Sequence, residues 1–185
     1  LATRSFWLLL FCSATPSAIL TALTFHHVSI MAQIELSVEM AAMILSAQAL
    51  VRLPMVFLAG IVVDRANPRV MMIMNQGLLF LGICILYIAN GMTFAVIYGA
   101  VTAVMLGFQI IVSNVVWPYY YGRQSLGSIR GVTMMVSDIS SALGPLPFGV
   151  AFDVFGGYQE VLLLSLFFPA IGMIAAFFAK KPIKL

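Results

Sequence analysis

Charge is what this chain has least of. Only 8% of its 185 residues are Asp, Glu, Lys or Arg, against roughly 25% in a soluble domain. Beside 63% hydrophobic residues, that scarcity rules out a soluble core, which at this size cannot hide so much apolar surface; the solvent for most of the chain is lipid. Basic runs and basic helical faces are also missing, so the net charge of +3 offers no surface to a nucleic acid. Cysteine is confined to Cys12 and Cys84, both in apolar segments, with no CxxC and no histidine at ligand spacing. They read as buried thiols, and neither a metal nor a cofactor is expected. No GxxxxGK(S/T) loop is present for a nucleotide phosphate, and no HExxH or serine elbow with a partnered histidine for an intramembrane enzyme. The expectation is a protein that is not an enzyme. The chain opens on Leu1 without the charged, short apolar and cleavage-site pattern of a leader, so it reads as an interior segment of a longer protein.

What the chain does have is six apolar segments, near 6–30, 39–63, 70–89, 93–117, 131–155 and 160–179. Each is long enough for a hydrocarbon core of ~30 Å, which takes about 20 helical residues. Backbone groups in lipid must pair internally, and the alternation of a barrel strand is absent, so the expected class is an all-α polytopic membrane protein with one six-helix bundle. Short connections link the segments: 32–38, 64–69, 90–92, 119–130 and 156–159. Arg4, Arg65, Arg69, Arg123, Arg130, Lys180, Lys181 and Lys184 fall at one side, while the opposite loops hold Glu35, Glu39, Asp153 and Glu160 and no Lys or Arg. By the bias of basic residues toward the cytoplasm, both ends of the segment are expected there.

The six segments differ in their polar content. Ser13, Ser17, Thr21 and Thr24 share a face of the first; Gln109, Ser113 and Trp117, with Asn114 beside them, share one of the fourth; Ser137, Asp138 and Ser141 share one of the fifth. Such stripes face protein or water in a membrane. The serines and threonines serve equally as glue between helices, whereas the bulkier Gln109, Asn114 and Trp117 point to a substrate cavity. The sixth segment, apolar nearly all round, and the third, beyond Asn75 and Gln76, read as lipid-facing support. Pro16 interrupts the first segment, as a functional bend or a static kink, and Gly144-Pro145-Leu146-Pro147 interrupts the fifth. The second segment ends Gly60-Ile-Val-Val-Asp64 and the fifth ends Gly149-Val-Ala-Phe-Asp153. The two run in opposite directions, so the echo fits an inverted 3+3 repeat.

Two formal charges lie within the spans. Arg52 stands twelve residues before Asp64, ~18 Å from the loop and near mid-membrane. There it either binds an anionic group of a substrate, with Gln48 one turn earlier on the same face, or pairs with an acid on another helix. Asp138, ~12 Å in from Arg130, is that acid or a protonatable coupling group. His26 and His27 lie about 100° apart on the helix; His27, nearer the polar stripe, is the one placed to relay protons, unless it merely rests at the interface. No i,i+4 partner makes a metal site.

The densest charge cluster is Gly60-Ile61-Val62-Val63-Asp64-Arg65-Ala66-Asn67-Pro68-Arg69. It resembles the signature loop of the major facilitator superfamily, which joins the second and third helices of each six-helix half. In the chain itself, Gly60 allows close helix packing, Asp64 accepts from a helix end or pairs with arginine, and Arg65 and Arg69 reach acids or carbonyls of a neighbour. The resemblance implies that these four act as a conformational latch. A second stretch, Tyr121-Gly-Arg-Gln-Ser-Leu-Gly-Ser-Ile-Arg-Gly131 feeding Gly144-Pro-Leu-Pro-Phe-Gly-Val-Ala-Phe-Asp153, resembles the tenth-to-eleventh helix region of monocarboxylate and oxalate/formate-type members, and Phe25-His26 looks like the seventh helix of bacterial ones. Members of this branch often hold an arginine one turn before the loop glycine, where this chain has Val56, with Arg52 a turn earlier. The resemblance implies the C-terminal half of a secondary transporter in a plasma (bacterial inner) membrane. Its solute is then a small organic anion such as a monocarboxylate, driven by a proton or ion gradient, and its partner the missing N-terminal six-helix half of the same polypeptide. A non-transporting six-helix module, acting as partner or sensor, is the alternative.

Overall fold

The computed structural model describes residues 3–123 and 126–181. They form eight helices: α1 (Arg4–Phe25), α2 (His27–Gln33), α3 (Val38–Val63), α4 (Pro68–Tyr87), α5 (Met92–Tyr121), α6 (Leu126–Leu143), α7 (Pro145–Phe155) and α8 (Gln159–Phe178). No strand occurs among the described residues. Because α6 and α7 follow one another across a single turn residue, these make six helical units long and apolar enough to cross a membrane. The chain is an all-α integral membrane protein.

Local chemistry sets most helix boundaries. Thr3, Ser37 and Asn67 cap α1, α3 and α4 with side-chain oxygens that accept from Phe6, Met40 and Arg69 N–H, and Pro68 occupies a first-turn position where no N–H is needed. Gly122 and Gly156, at φ +73° and +72°, end α5 and α7 in a conformation that penalises a Cβ.

Several expectations need correction. The first span breaks at His26, not Pro16; α1 runs through Pro16 unbroken. Proline has no N–H for the carbonyl four residues back, and that carbonyl, on Cys12, instead accepts from Gln76 Nε2 at 2.7 Å. The fourth span continues to Tyr121 and the fifth begins at Leu126, so the 119–130 connection shrinks to 122–125 and Arg130 lies on a helix. The interruption at Gly144 is present. A Cβ there would fall 2.2 Å from the Ala18 carbonyl oxygen, so α6–α7 crosses α1 backbone to backbone. Nor is α4 a lipid-facing support: Asn75 and Gln76 are 2% and 1% exposed, and α4 packs on α5, α8 and α1. On α8 one face, with Gly172, Ala175 and Ala176, packs inward, while Leu163, Leu164, Phe167 and Ile171 are exposed.

Around the central pair α4–α8, α3 packs on α5, and α6 and α7 pack on α1. The first helical unit of each triplet therefore pairs with the second unit of the other. The two closest backbone approaches obey the same exchange. A Cβ at Gly107 of α5 would lie 2.6 Å from Met55 Cβ of α3, and Gly144 of α6–α7 meets Ala18 of α1. The separation of 89 positions that carries Gly60 to Gly149 also carries Ala18 to Gly107 and Met55 to Gly144. One contact is thus made twice, with the triplets' roles swapped, as an inverted 3+3 repeat requires.

The ends of the bundle differ. At one, Arg69 of α4 donates from Nε to Ala176 O at 3.1 Å and from Nη2 to Phe177 O, capping the last carbonyls of α8. Arg4, Arg65, Arg123, Lys180 and Lys181 sit exposed at this basic end; Lys184 lies outside the described residues. The other, acidic end carries Glu35 in the connection after α2, Glu39 and Glu160 in the first turns of α3 and α8, and Asp153 in the last turn of α7.

Candidate functional site

A cleft of about 360 Å³ opens between α1, α5 and α6. Ser13 and Ser17 line it from α1, Gln109, Ser113, Asn114 and Trp117 from α5, and Arg130, Thr133, Ser137 and Asp138 from α6. The polar stripes of three spans converge here because each turns its costly groups away from lipid toward the same gap. Ser13 and Ser17 satisfy their own hydroxyls on Leu9 O and Ser13 O. Gln109 Oε1 accepts from the buried Asn75 Nδ2 of α4, which leaves the Gln109 amide hydrogens free for the cleft. Trp117, 2% exposed, is wedged against Phe6 with ring centroids 5.6 Å apart and forms an apolar wall.

Arg130 is the cation of this site, and sequence reasoning assigned it only to orientation. Its Nη2 donates to Asn114 Oδ1 at 3.2 Å, and Asn114 Nδ2 in turn donates to Ile110 O at 2.9 Å. Arg130, Thr133, Ser137 and Asp138 follow at helical spacing on one face of α6. That periodicity was available in the sequence; Gly127 and Gly131 disguised the start of the helix as loop. Asp138 is exposed in the cleft about two turns from Arg130. The site thus holds a guanidinium, amide and hydroxyl donors and one carboxylate, in a groove with an aromatic wall. It suits a small molecule with an anionic end.

The remaining predicted residues lie elsewhere. Arg52 is exposed on α3 and lines no part of the cleft. It does not meet Asp138, since α3 packs on α5 and α2 whereas α6 packs on α1, α5 and α7. Gln48 turns inward, its Nε2 donating to Thr102 Oγ1 at 2.9 Å. His27 is 2% exposed and bonded through Nε2 to Ala41 O at 3.1 Å, buried against α3 and away from the polar stripe. Its neighbour His26 has the polar partners instead, on α7 and α8. In the charged loop, a Cβ on Gly60 would meet nothing within 4 Å, so it is not a close-packing glycine. Asp64 and Arg65 are exposed, and among the described residues it is Arg69 that engages carbonyls, those of α8. Compared with known protein families and with curated proteins, the chain matches none.

Proposed function

We infer that the protein is a secondary transporter which moves a small organic anion through the cleft between α1, α5 and α6. The observation that carries this reading is Arg130, a guanidinium bonded to Asn114 in a groove that Gln109 and Asp138 also line, in a membrane bundle with 8% charged residues. Arg130 stands in the second turn of α6, near the basic end and exposed to the groove, where a guanidinium can meet an anion as it enters. Asp138, deeper on the same helix, is the charge whose retention within a span marks a solute or ion path. The doubled glycine contact supports alternating access, because two inverted triplets give two pseudo-equivalent packings that exchange by rocking. In this reading the six-helix unit rocks against a second one, the upstream half of the same polypeptide. Arg130 anchors the carboxylate, Gln109, Ser113 and Ser137 offer donors to the solute, and Trp117 shapes the apolar remainder. Gly60, Asp64, Arg65 and Arg69 act at the basic end, where release of Arg69 from the α8 carbonyls frees α4 to shift.

The test is uptake by the full-length protein in proteoliposomes, against a panel of small carboxylates, with and without an inward proton gradient. Accumulation of one acid, lost by tenfold or more in Arg130→Ala with membrane insertion intact, is the expected result. A flat panel with correctly inserted protein rejects the anion and favours a non-transporting module or a neutral solute.

A further inference from the structure

At the acidic end, away from the cleft, one imidazole ties three helices together. His26 stands at the break between α1 and α2. Its Nε2 is 3.1 Å from the carbonyl oxygen of Pro145, the first residue of α7. Its Nδ1 is 3.1 Å from the hydroxyl of Tyr158, the N-cap residue of α8. Tyr158 Oη in turn lies 2.9 Å from Ser29 Oγ on α2. The ring stacks on Phe148, with centroids 6.0 Å apart and planes 16° off parallel, and Phe25 and Tyr158 flank it at 5.1 and 5.4 Å. It sits over Gly149, whose absent Cβ would be 4.0 Å from His26 Cε1, so a longer side chain there would reach the ring.

The partners fix the tautomer. A carbonyl oxygen only accepts, so Nε2 carries hydrogen. In neutral imidazole Nδ1 is then the bare nitrogen, and the Tyr158 hydroxyl, which otherwise donates to Ser29 Oγ, turns its one hydrogen to Nδ1. Added hydrogen ion goes to Nδ1, after which the chain reverses: Nδ1–H donates to Tyr158 and Tyr158 donates to Ser29. Both ring nitrogens keep a partner in both states, and in the charged state both bonds become charge-assisted while the ring lies against Phe148. A second cleft, about 450 Å³ and lined by Tyr158 with Gln33, Tyr87, Gln159 and Glu160, reaches the relay from the acidic end.

We propose that His26, served by Tyr158, is a proton-binding site of this protein, and, resting on the transporter reading above, the site that couples transport to a proton gradient. Tyr158 passes its hydroxyl hydrogen to Nδ1 and takes a replacement from solvent in the cleft. Tyrosine ends neutral as it began, the imidazole gains one positive charge, and the solvent loses one hydrogen ion. Imidazolium donates strongly from both nitrogens, so proton uptake tightens the tie between α1, α7 and α8 at the acidic end. The ionisable group in contact with the ring is Tyr158; Asp153 on α7 and Glu160 on α8 are exposed and make no hydrogen bond to it, and His27 points the opposite way, toward α3.

The experiment is ¹⁵N NMR of the full-length protein labelled at histidine, with His26→Gln assigning the signal by difference. The expected result is an Nε2–H neutral tautomer that converts to imidazolium as pH falls. Its midpoint moves to lower pH in Tyr158→Phe, a loss of about fivefold in proton affinity for one charge-assisted bond. An Nδ1–H tautomer, or a midpoint indifferent to Tyr158→Phe, overturns the proton site. In proteoliposomes, His26→Gln is expected to abolish gradient-driven accumulation of the transported acid while exchange of that acid persists; accumulation that survives the substitution overturns the coupling role. Absence of any uptake by the unmodified protein rejects the transporter reading and its coupling role, while the NMR result still decides the proton site.

Discussion

Gln76 and Pro16 show how single residues in a lipid-solvated protein settle each other's accounts across the fold. Proline deletes the hydrogen bond that Cys12 O would accept, and an unpaired carbonyl inside a membrane bundle is costly. A glutamine 64 positions away supplies the donor. Gln76→Leu is therefore expected to lower stability by about 1–3 kcal/mol, read as a fall in the thermal midpoint of the detergent-solubilised protein. Adding Pro16→Ala should restore much of the loss by returning an N–H to Cys12 O, and a double variant no better than the single one would break the link. The same scale separates the two arginines. Arg130→Gln should weaken anion uptake by tenfold or more, whereas Arg52→Ala, exposed on α3 outside the cleft, should change it by less than threefold; measured concentration curves for both decide the assignment. Neither relation was legible beforehand. Asn75 and Gln76 read as tolerated polar residues because their partners lie on other helices, and Arg130 read as a loop charge because glycines flank it.

Among the helices, legibility followed the physics of each boundary. Long apolar runs made all six spans visible, and the starts read at 39 and 70 fall one or two residues inside α3 and α4, whose caps are Ser37 and Asn67. The break at His26 was invisible, since neither glycine nor proline marks it; its ring is held by Pro145 O and Tyr158 from distant segments. Gly144 was visible as a breaker, but its role as a crossing point needed the partner backbone at Ala18. Gly144→Ala and Gly107→Ala each place a methyl against a neighbouring helix, the first on a carbonyl that cannot give way. Overpacking of this kind costs typically 1–3 kcal/mol. Both meet backbone or a Cβ fixed to it, at 2.2 Å for Gly144 and 2.6 Å for Gly107, so both are expected near the top of that range with Gly144→Ala the larger, measured by thermal unfolding; a negligible effect of either would mean that the helices separate there at little cost.

At the scale of the whole bundle, the charge bias read from the loops survives as two ends of opposite character. Lys181→Cys and Glu160→Cys should therefore react with a membrane-impermeant thiol reagent from opposite sides of sealed vesicles, in a background lacking Cys12 and Cys84; labelling of both from one side would contradict the six-span topology. The echo at Gly60 and Gly149 hinted at internal symmetry, and the exchange of partners between triplets gives that symmetry its form. That exchange also has a consequence in time. The helix α1 is synthesised well before α6, on which it packs, with Ser141 reaching Ser17 O across 124 positions of chain. At roughly 5–20 residues per second, α1 waits some 6–25 seconds in the translocation machinery or bare lipid before its partner emerges. Ser13, Thr15 and Ser17 bond to carbonyls of their own helix, which lets this part of it wait without a partner. Self-sufficiency of the polar stripe on α1 is thus a requirement of birth order as much as of the finished fold.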